Sequence, residues 1–496
     1  MQASSDDPTS IPHARGLFCN RTLNMRAIRA IGYDMDYTLV QYHTREWERL
    51  AFDHARRRLG AEGFPVDDLV FRPEDVIRGL VVDTKLGNLC KANRFGYVKR
   101  AVHGTHPIAF EDLRQAYSRT IVDLKDKRWV FLNTLFSLSE ASIYGQLVDR
   151  YDRKLLPNVE GYADLYERAR RAVDMSHAEG QLKAEIVAKP DPHVELDPDA
   201  ALALLDQRAA GKLVLLVTNS EWGFTHEMMT YAFDRYLPAG KKWRDLFDLV
   251  VVAANKPGFF SVRSPVLEVV SEDGLLRPAL GMKRGGVYHG GNAAMVEQCL
   301  AVTGDEILYV GDHIWGDVHV SKSVLRWRTA LVLRELEDEI AAAAGSHAEL
   351  DVLPILMAKK ERLERSHNVA RLELLRRKSG YGKASGETEA DLTQVMQTAR
   401  AAISKIDEEI APLARHASEV GNALWGPLLW AGNDKSQFTR QLERSADVYT
   451  SRVSNFALAT PFVYLRSPRG SLPHDEAPAP APAGAKSSRS HDMSAF

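Results

Sequence analysis

Four short aliphatic runs in this chain each end in a polar cluster: Ala27–Tyr33 before DMDYT, Leu213–Val217 before TNS, Leu249–Ala253 before NKPG, and Ile307–Val310 before GDHIWGD. Runs that are apolar throughout, rather than at alternate positions, fit strands buried on both faces of a parallel sheet. In open α/β sheets ligands gather outside the carboxyl ends of the strands. Four such clusters therefore point to one site. Between the runs lie helical patterns, the clearest being Asp197–Gly211, with an Asp cap, Pro198 at the first helical position and a closing glycine. Strand alternating with helix predicts a Rossmann-like, doubly wound parallel α/β core.

The interval from Thr38 to Leu213 is far longer than one crossover needs, so it holds an inserted cap. Its middle, Ser139–Gly180, is strongly helical, and Val81–Gly104 reads as a strand pair around a turn, making the cap mixed α+β. From about Met357 to Leu413 the composition shifts to Lys, Arg, Glu, Leu and Ala around the flexible SGYGKASGET stretch, which predicts a helical hairpin. Leu392, Met396, Ala399, Ile403, Ile406, Ile410 and Leu413 recur at alternating steps of four and three, a coiled-coil seam. Such a seam more often packs within its own chain than against a partner, but it also offers a self-association surface, and a homo-oligomer is expected. The resulting division is a flexible N-terminus over 1–16, a core over 17–45 and 190–355, a cap over 46–189, and a hairpin over 356–416. A C-terminal helical segment over 417–475, packing on core or cap, and a disordered Pro/Ala/Ser-rich tail over 476–496 complete it.

With 64 Lys+Arg against 66 Asp+Glu in 496 residues, the chain has no general electrostatic attraction for nucleic acid or anionic membranes. An anionic ligand must be caught by a local site. The three cysteines, Cys19, Cys90 and Cys299, are scattered, and no run approaches a membrane span. These features predict a cytoplasmic protein without nucleic-acid or membrane partners.

DMDYT follows an apolar run directly and sets Asp34 and Asp36 two residues apart, on the same side of an extended chain. Phosphoryl transfer needs an oxygen nucleophile, a proton donor for the leaving oxygen, and positive charge to neutralise phosphate. Asp34 and Asp36 can fill the first two roles. An Asp-x-Asp could alternatively cap a helix or turn, but three more clusters complete the chemistry. Thr218, Asn219 and Ser220 offer hydroxyls and backbone N–H groups to phosphate oxygens. Lys256 supplies an ammonium. Asp312 and Asp317 suit a hard cation that prefers oxygen ligands, with Asp34, Asp312 and the Asp36 carbonyl as the set for magnesium and Asp317 in support.

In order, DMDYT, TNS, the KP lysine and GDHIWGD resemble the four motifs of the haloacid dehalogenase superfamily. More narrowly, NRTLNMRAIRAIGYDMDYTLVQY, LNTLF, VYHGG, GDHIWGDV with the following SK and WRT, and the late WGPLL and ADVY are similar to the purine-preferring cytosolic 5′-nucleotidases, over roughly Gly16 to Glu476. The resemblance implies Mg²⁺-dependent hydrolysis of a 6-oxopurine nucleoside 5′-monophosphate, IMP or GMP, through an aspartyl-phosphate on Asp34, with transfer to an acceptor nucleoside as a further outcome. It implies Asp36 as general acid/base, Phe136 as stacking platform, and Arg170, Asp174, His177 and Lys183 as the further cap residues that hold the base. Arg170, Asp174 and His177 fall at i, i+4 and i+7, on one face of a predicted helix. Asn133, Gln441 and Arg444 match parts of a nucleotide effector site, although Ser445 stands where an aromatic is usual, and Ser137 follows Phe136 where an amide is common. The alternatives are a phosphatase for another small phosphate ester and a non-catalytic scaffold working through the hairpin.

Overall fold

The computed structural model describes residues 11–178, 180–383, 385–468 and 470. Residues 1–10 of the flexible N-terminus expected over 1–16, and the disordered tail expected over 476–496, lie outside them. Residues 11–16 are tied down rather than free. His13–Arg15 forms a 3-10 turn, Arg15 bonds to Ser454 at 3.1 Å, and Thr450 Oγ1 donates to the Gly16 carbonyl at 2.9 Å.

The central sheet has ten strands: β1 (Phe18–Cys19), β2 (Ala30–Tyr33), β3 (Leu213–Val217), β4 (Leu249–Val252), β5 (Val266–Val269), β6 (Leu276–Ala279), β7 (Val287–Gly290), β8 (Ile307–Gly311), β9 (Arg328–Val332) and β10 (Val448–Thr450). Across the sheet they run β1-β10-β9-β8-β2-β3-β4-β7-β5-β6. The seven strands from β10 to β7 are parallel, and antiparallel strands flank them. From β2 the chain steps outward to β3 and β4, then returns to β2's other side as β8. This reversal is the switch point at which doubly wound sheets open a crevice.

Every residue of β2 is buried, which is why the run is apolar without alternation. Tyr33 is level with Leu216 on one side and Val310 on the other, so the sequence clusters after β2, β3 and β8 emerge together. Gly32 has a packing role: a Cβ there would come within 2.9 Å of the Tyr309 ring, which lies against it.

The cap contains helix α1 (Thr44–Ala61), packed on α2 (Leu138–Asp152) and α3 (Tyr162–Ala178), followed by α4 (Gln181–Ala188). Val81–Gly104 holds three strands rather than a pair, part of a five-stranded antiparallel sheet. The segment contains two tight turns. Gly87 and Gly96 both take positive φ, and each turn reverses the chain once.

Helices α5 (Val352–Ser379) and α6 (Glu389–Glu419) form the hairpin. All seven seam residues are buried or half-buried, with Leu392, Ala399 and Ile406 the most enclosed. The segment after the hairpin differs from the expected helical one. It has helices at Gln437–Ser445 and Asn455–Ala459, but Val448–Thr450 enters the central sheet between β9 and β1. Asp447 anchors this strand by accepting from Arg328 Nε at 2.9 Å and Thr329 N at 3.1 Å. Among the described residues no single helix is long and apolar enough to cross a membrane.

Candidate active site

Asp34 is the first residue after β2, and its backbone N–H donates to the Val310 carbonyl at 2.9 Å, extending the ladder to β8. This fixes the carboxylate at the strand end, where Oδ1 lies 2.8 Å from Lys256 Nζ. Lys256 comes from the loop after β4 and is fully enclosed. Its ammonium also donates to Asp317 Oδ1 at 2.7 Å and to the Tyr309 hydroxyl at 3.1 Å. Asn219 fastens the loop, accepting from Lys256 N at 2.6 Å and donating to the Lys256 carbonyl at 3.0 Å. Tyr309 in turn donates to the Val217 carbonyl at 2.8 Å, so the lysine rests on β8 and β3, the strands on either side of β2.

Asp312, just after β8, and Asp317, in the π-helical turn Ile314–His319 that follows, reach the same point. Asp317 Oδ2 accepts from His313 N at 3.0 Å, and a Cβ on Gly311 would come within 2.4 Å of that oxygen, so glycine is needed for the loop to fold back. Both oxygens of Asp317 are thus engaged by protein donors. Among the described residues the Asp312 carboxylate accepts a hydrogen bond only from the Thr134 hydroxyl, at 3.3 Å, while its backbone carbonyl accepts from Arg78 at 3.2 Å.

Asp34, Asp312 and Asp317 bring ligand oxygens within 4.8 Å of one another. Three buried carboxylates face one ammonium, and the electrostatics record the imbalance. Burial pushes Asp34 up to about 7, Lys256 opposes this, and Asp317 and Asp36 add to it. Asp312 is driven well above the carboxylate range by burial and then by Asp317 and Asp34. Burial opposes the charge on Lys256, but Asp317 and Asp34 outweigh it and hold the ammonium protonated. An all-oxygen donor set with surplus negative charge fits a hard divalent cation.

Asp36 stands beside this cluster with both oxygens occupied. Tyr42 donates to Oδ1 at 2.6 Å and Ser220 Oγ to Oδ2 at 2.7 Å. Lys183, reaching down from α4, donates to Ser220 Oγ at 3.1 Å. Thr218 is buried, and its hydroxyl accepts from Ser220 N at 3.1 Å, shaping the turn after β3.

A cavity of about 320 Å³ opens on these groups, lined by both aspartates of DMDYT, Lys256, Asp312, Asp317, Asn219, Ser220 and Lys183 at its floor. Its upper wall is aromatic: Phe136, Trp47 and His177. Phe136 lies 5.5 Å from Trp47 and 5.4 Å from His177, centroid to centroid. Burial, reinforced by Lys183 and His54, lowers His177 to about 4, so the ring is neutral near pH 7 and its buried Nε2 has no partner.

Phe136, His177 and Lys183 are therefore brought to the cavity, whereas Arg170 and Asp174 do not line it. They pair with each other at 3.6 Å on the outer part of α3, both substantially exposed. The i, i+4, i+7 spacing does put them on His177's face, but seven residues span about 10 Å along a helix axis. Only the C-terminal end of α3 reaches the site. Asn133 and Gln441 also lie outside the cavity, buried, each with its amide oxygen unpartnered, and Arg444 is exposed beside His319.

Trp47, Tyr42, Tyr309, Thr134 and Trp315 belong to the site or its support without having been singled out from the sequence. A polar-tipped tyrosine inside the otherwise aliphatic ILYVG strand was the available signal for Tyr309. Trp47 gave none, because its spacing in α1 matches that of the buried face.

The sequence model of the 5′ nucleotidase family matches residues 17–477. Human 5′-nucleotidase domain-containing protein 2 (Homo sapiens) is 27% identical over 483 residues, covering 92% of this chain and 85% of that protein. Among solved structures, a haloacid dehalogenase-like family hydrolase from Xanthomonas campestris is 13% identical, with a TM-score of 0.25 over 62% of this chain and 82% of its own. An archaeal beta-phosphoglucomutase from Pyrococcus sp. strain ST 04 is 10% identical, with a TM-score of 0.27 over 62% of this chain and 87% of its own.

Proposed function

The chain belongs to the 5′ nucleotidase family, and from that premise we propose that it is a magnesium-dependent hydrolase of purine nucleoside 5′-monophosphates, IMP and GMP. The observation that carries the reading is the Asp34–Lys256 contact of 2.8 Å on the floor of a cavity whose upper wall is Phe136, Trp47 and His177. Phosphate chemistry and a flat aromatic ligand are thus accommodated in one space.

In this reading Asp34 attacks phosphorus in line with the ester oxygen, forming an aspartyl-phosphate. Asp36 protonates the departing 5′-oxygen and afterwards takes a proton from the water that releases phosphate. Lys256 balances charge between nucleophile and phosphate, while Thr218, Asn219, Ser220 and Lys183 bind phosphate oxygens. Asp34, Asp312 and the Asp36 carbonyl would hold Mg²⁺, with Asp317 supporting from beside Lys256; the ion supplies charge neutralisation on the phosphoryl oxygens. The Phe136 ring offers the base an apolar face, and the neutral His177 imidazole, edge-on to it, can donate or accept toward a purine edge. A sugar hydroxyl can attack the aspartyl-phosphate in place of water, so phosphotransfer to a nucleoside is part of the proposal.

Three unpaired cysteines fit a reducing cytosol as the working compartment. The test is phosphate release from a panel of nucleoside monophosphates with and without Mg²⁺, comparing wild type with Asp34→Asn. Metal-dependent release from IMP and GMP, lost in Asp34→Asn, is expected. Turnover confined to non-nucleotide esters would favour a phosphatase of other specificity, and no release from any monophosphate would favour the scaffold.

A further inference from the structure

Tyr42 does not line the cavity, yet its phenol reaches Asp36. It lies on the short strand Gln41–Tyr42, held antiparallel to Val194–Glu195, and is 2% exposed. Its ring packs against Tyr37 at 5.3 Å and Trp47 at 4.2 Å between centroids. From that position the hydroxyl donates to Asp36 Oδ1 at 2.6 Å. The other oxygen, Oδ2, accepts from Ser220 Oγ at 2.7 Å, and Ser220 is a wall of the cavity. The two oxygens of Asp36 are therefore not equivalent. One is held by a group no ligand can reach, and the other by a group facing the ligand.

A hydroxyl has one proton to give. When Ser220 turns its proton toward a phosphate oxygen, Oδ2 is released, while Tyr42 has no competing acceptor in the cavity. A phenol keeps its proton near neutral pH, so Tyr42 stays a donor. With Oδ1 occupied as an acceptor, a proton carried by Asp36 resides on Oδ2.

We propose that Tyr42 is a positioning residue for phosphoryl transfer, fixing the Asp36 carboxyl so that Oδ2, on the cavity side, carries the proton to the leaving oxygen. The inference rests on the reading of Asp36 as general acid. In that step an Asp34 oxygen bonds to phosphorus and the ester P–O bond breaks, its electron pair passing to the leaving oxygen. That oxygen takes the proton from Asp36 Oδ2, which leaves Asp36 a carboxylate still bonded to Tyr42. The penalty for misplacing the proton depends on the leaving group. A ribose 5′-alkoxide needs protonation, whereas p-nitrophenolate departs without it.

The test compares wild type and Tyr42→Phe on IMP and on p-nitrophenyl phosphate. The readout is kcat/KM, which covers events through formation of the aspartyl-phosphate. Phenylalanine keeps the ring packing against Tyr37 and Trp47 and removes only the donor, and melting temperature is recorded alongside. For IMP, kcat/KM is expected to fall about 10- to 100-fold, and for p-nitrophenyl phosphate several times less. Equal losses on the two esters, with or without a drop in melting temperature, would mean a packing role and overturn the inference. So would an unchanged kcat/KM for IMP. A wild-type protein inert toward both esters would instead bring down the functional reading and this inference together.

Discussion

Lys256 Nζ sits 2.8 Å from Asp34 Oδ1 and shares its remaining charge with Asp317, so the ammonium and the Asp34 carboxylate form one electrostatic unit. Replacing Lys256 with Met removes the only cation in contact with the Asp34 carboxylate among the described residues. The rate constant kcat for phosphate release is expected to drop by about two to three orders of magnitude, measured at saturating substrate. Lys256→Arg, whose planar fork does not reproduce the three contacts, should recover little of it.

Asp312 and Asp317 should separate by experiment. The Asp312 carboxylate has a single weak protein partner, while Asp317 is committed to Lys256 and His313 N. Asp312→Asn is expected to raise the Mg²⁺ concentration for half-maximal activity by at least about tenfold. Asp317→Asn should act chiefly on kcat through Lys256. A magnesium titration of each variant distinguishes the two.

In the proposed reading, Phe136 and His177 form the part of the cavity wall that meets the base rather than the phosphate. Phe136→Ala is expected to raise KM for IMP about tenfold, the equivalent of about 1.4 kcal/mol. Its effect on p-nitrophenyl phosphate should be much smaller. Steady-state kinetics on both esters check this.

Glu48 gives a pH signature unrelated to catalysis. It is fully enclosed in α1, one oxygen accepting from Ser139 N at 2.9 Å and the other without a partner. Burial raises it to about 8, against the backbone bond from Ser139. The folded state therefore holds a proton that the unfolded chain releases near pH 4.5. This contribution to stability is fully present below that value and lost as pH rises through about 8. In Glu48→Gln the fall in unfolding free energy between pH 5 and pH 8.5 should shrink by on the order of 3 kcal/mol, read by denaturant titration at each pH.

The core was legible because strands buried on both faces leave an uninterrupted apolar run, and the groups that follow such runs have few other places to go. Asp34, Thr218, Lys256 and Asp312 were visible for that reason. Arg170 and Asp174 show the limit of such reasoning: a helical wheel reports angle and is blind to distance along the axis. Strand β10 was hidden by its length, since three residues carry no periodicity and its place depends on Asp447 meeting Arg328 and Thr329 across the fold. Tyr42 was hidden because its role needs a partner, Asp36, whose orientation no local pattern states.

The switch-point topology also bears on how the site comes into being. Asp36 and its partner Ser220 are separated by 184 residues, and Thr134 and Asp312 by 178. On the ribosome β2 is made early and waits for β3 and then β8 to be synthesised beside it. Such non-local pairing is slow and leaves sticky intermediates. The nascent chain thus carries an apolar strand without its partners until β3 and then β8 have been made, so the order of synthesis sets how long that strand stays exposed.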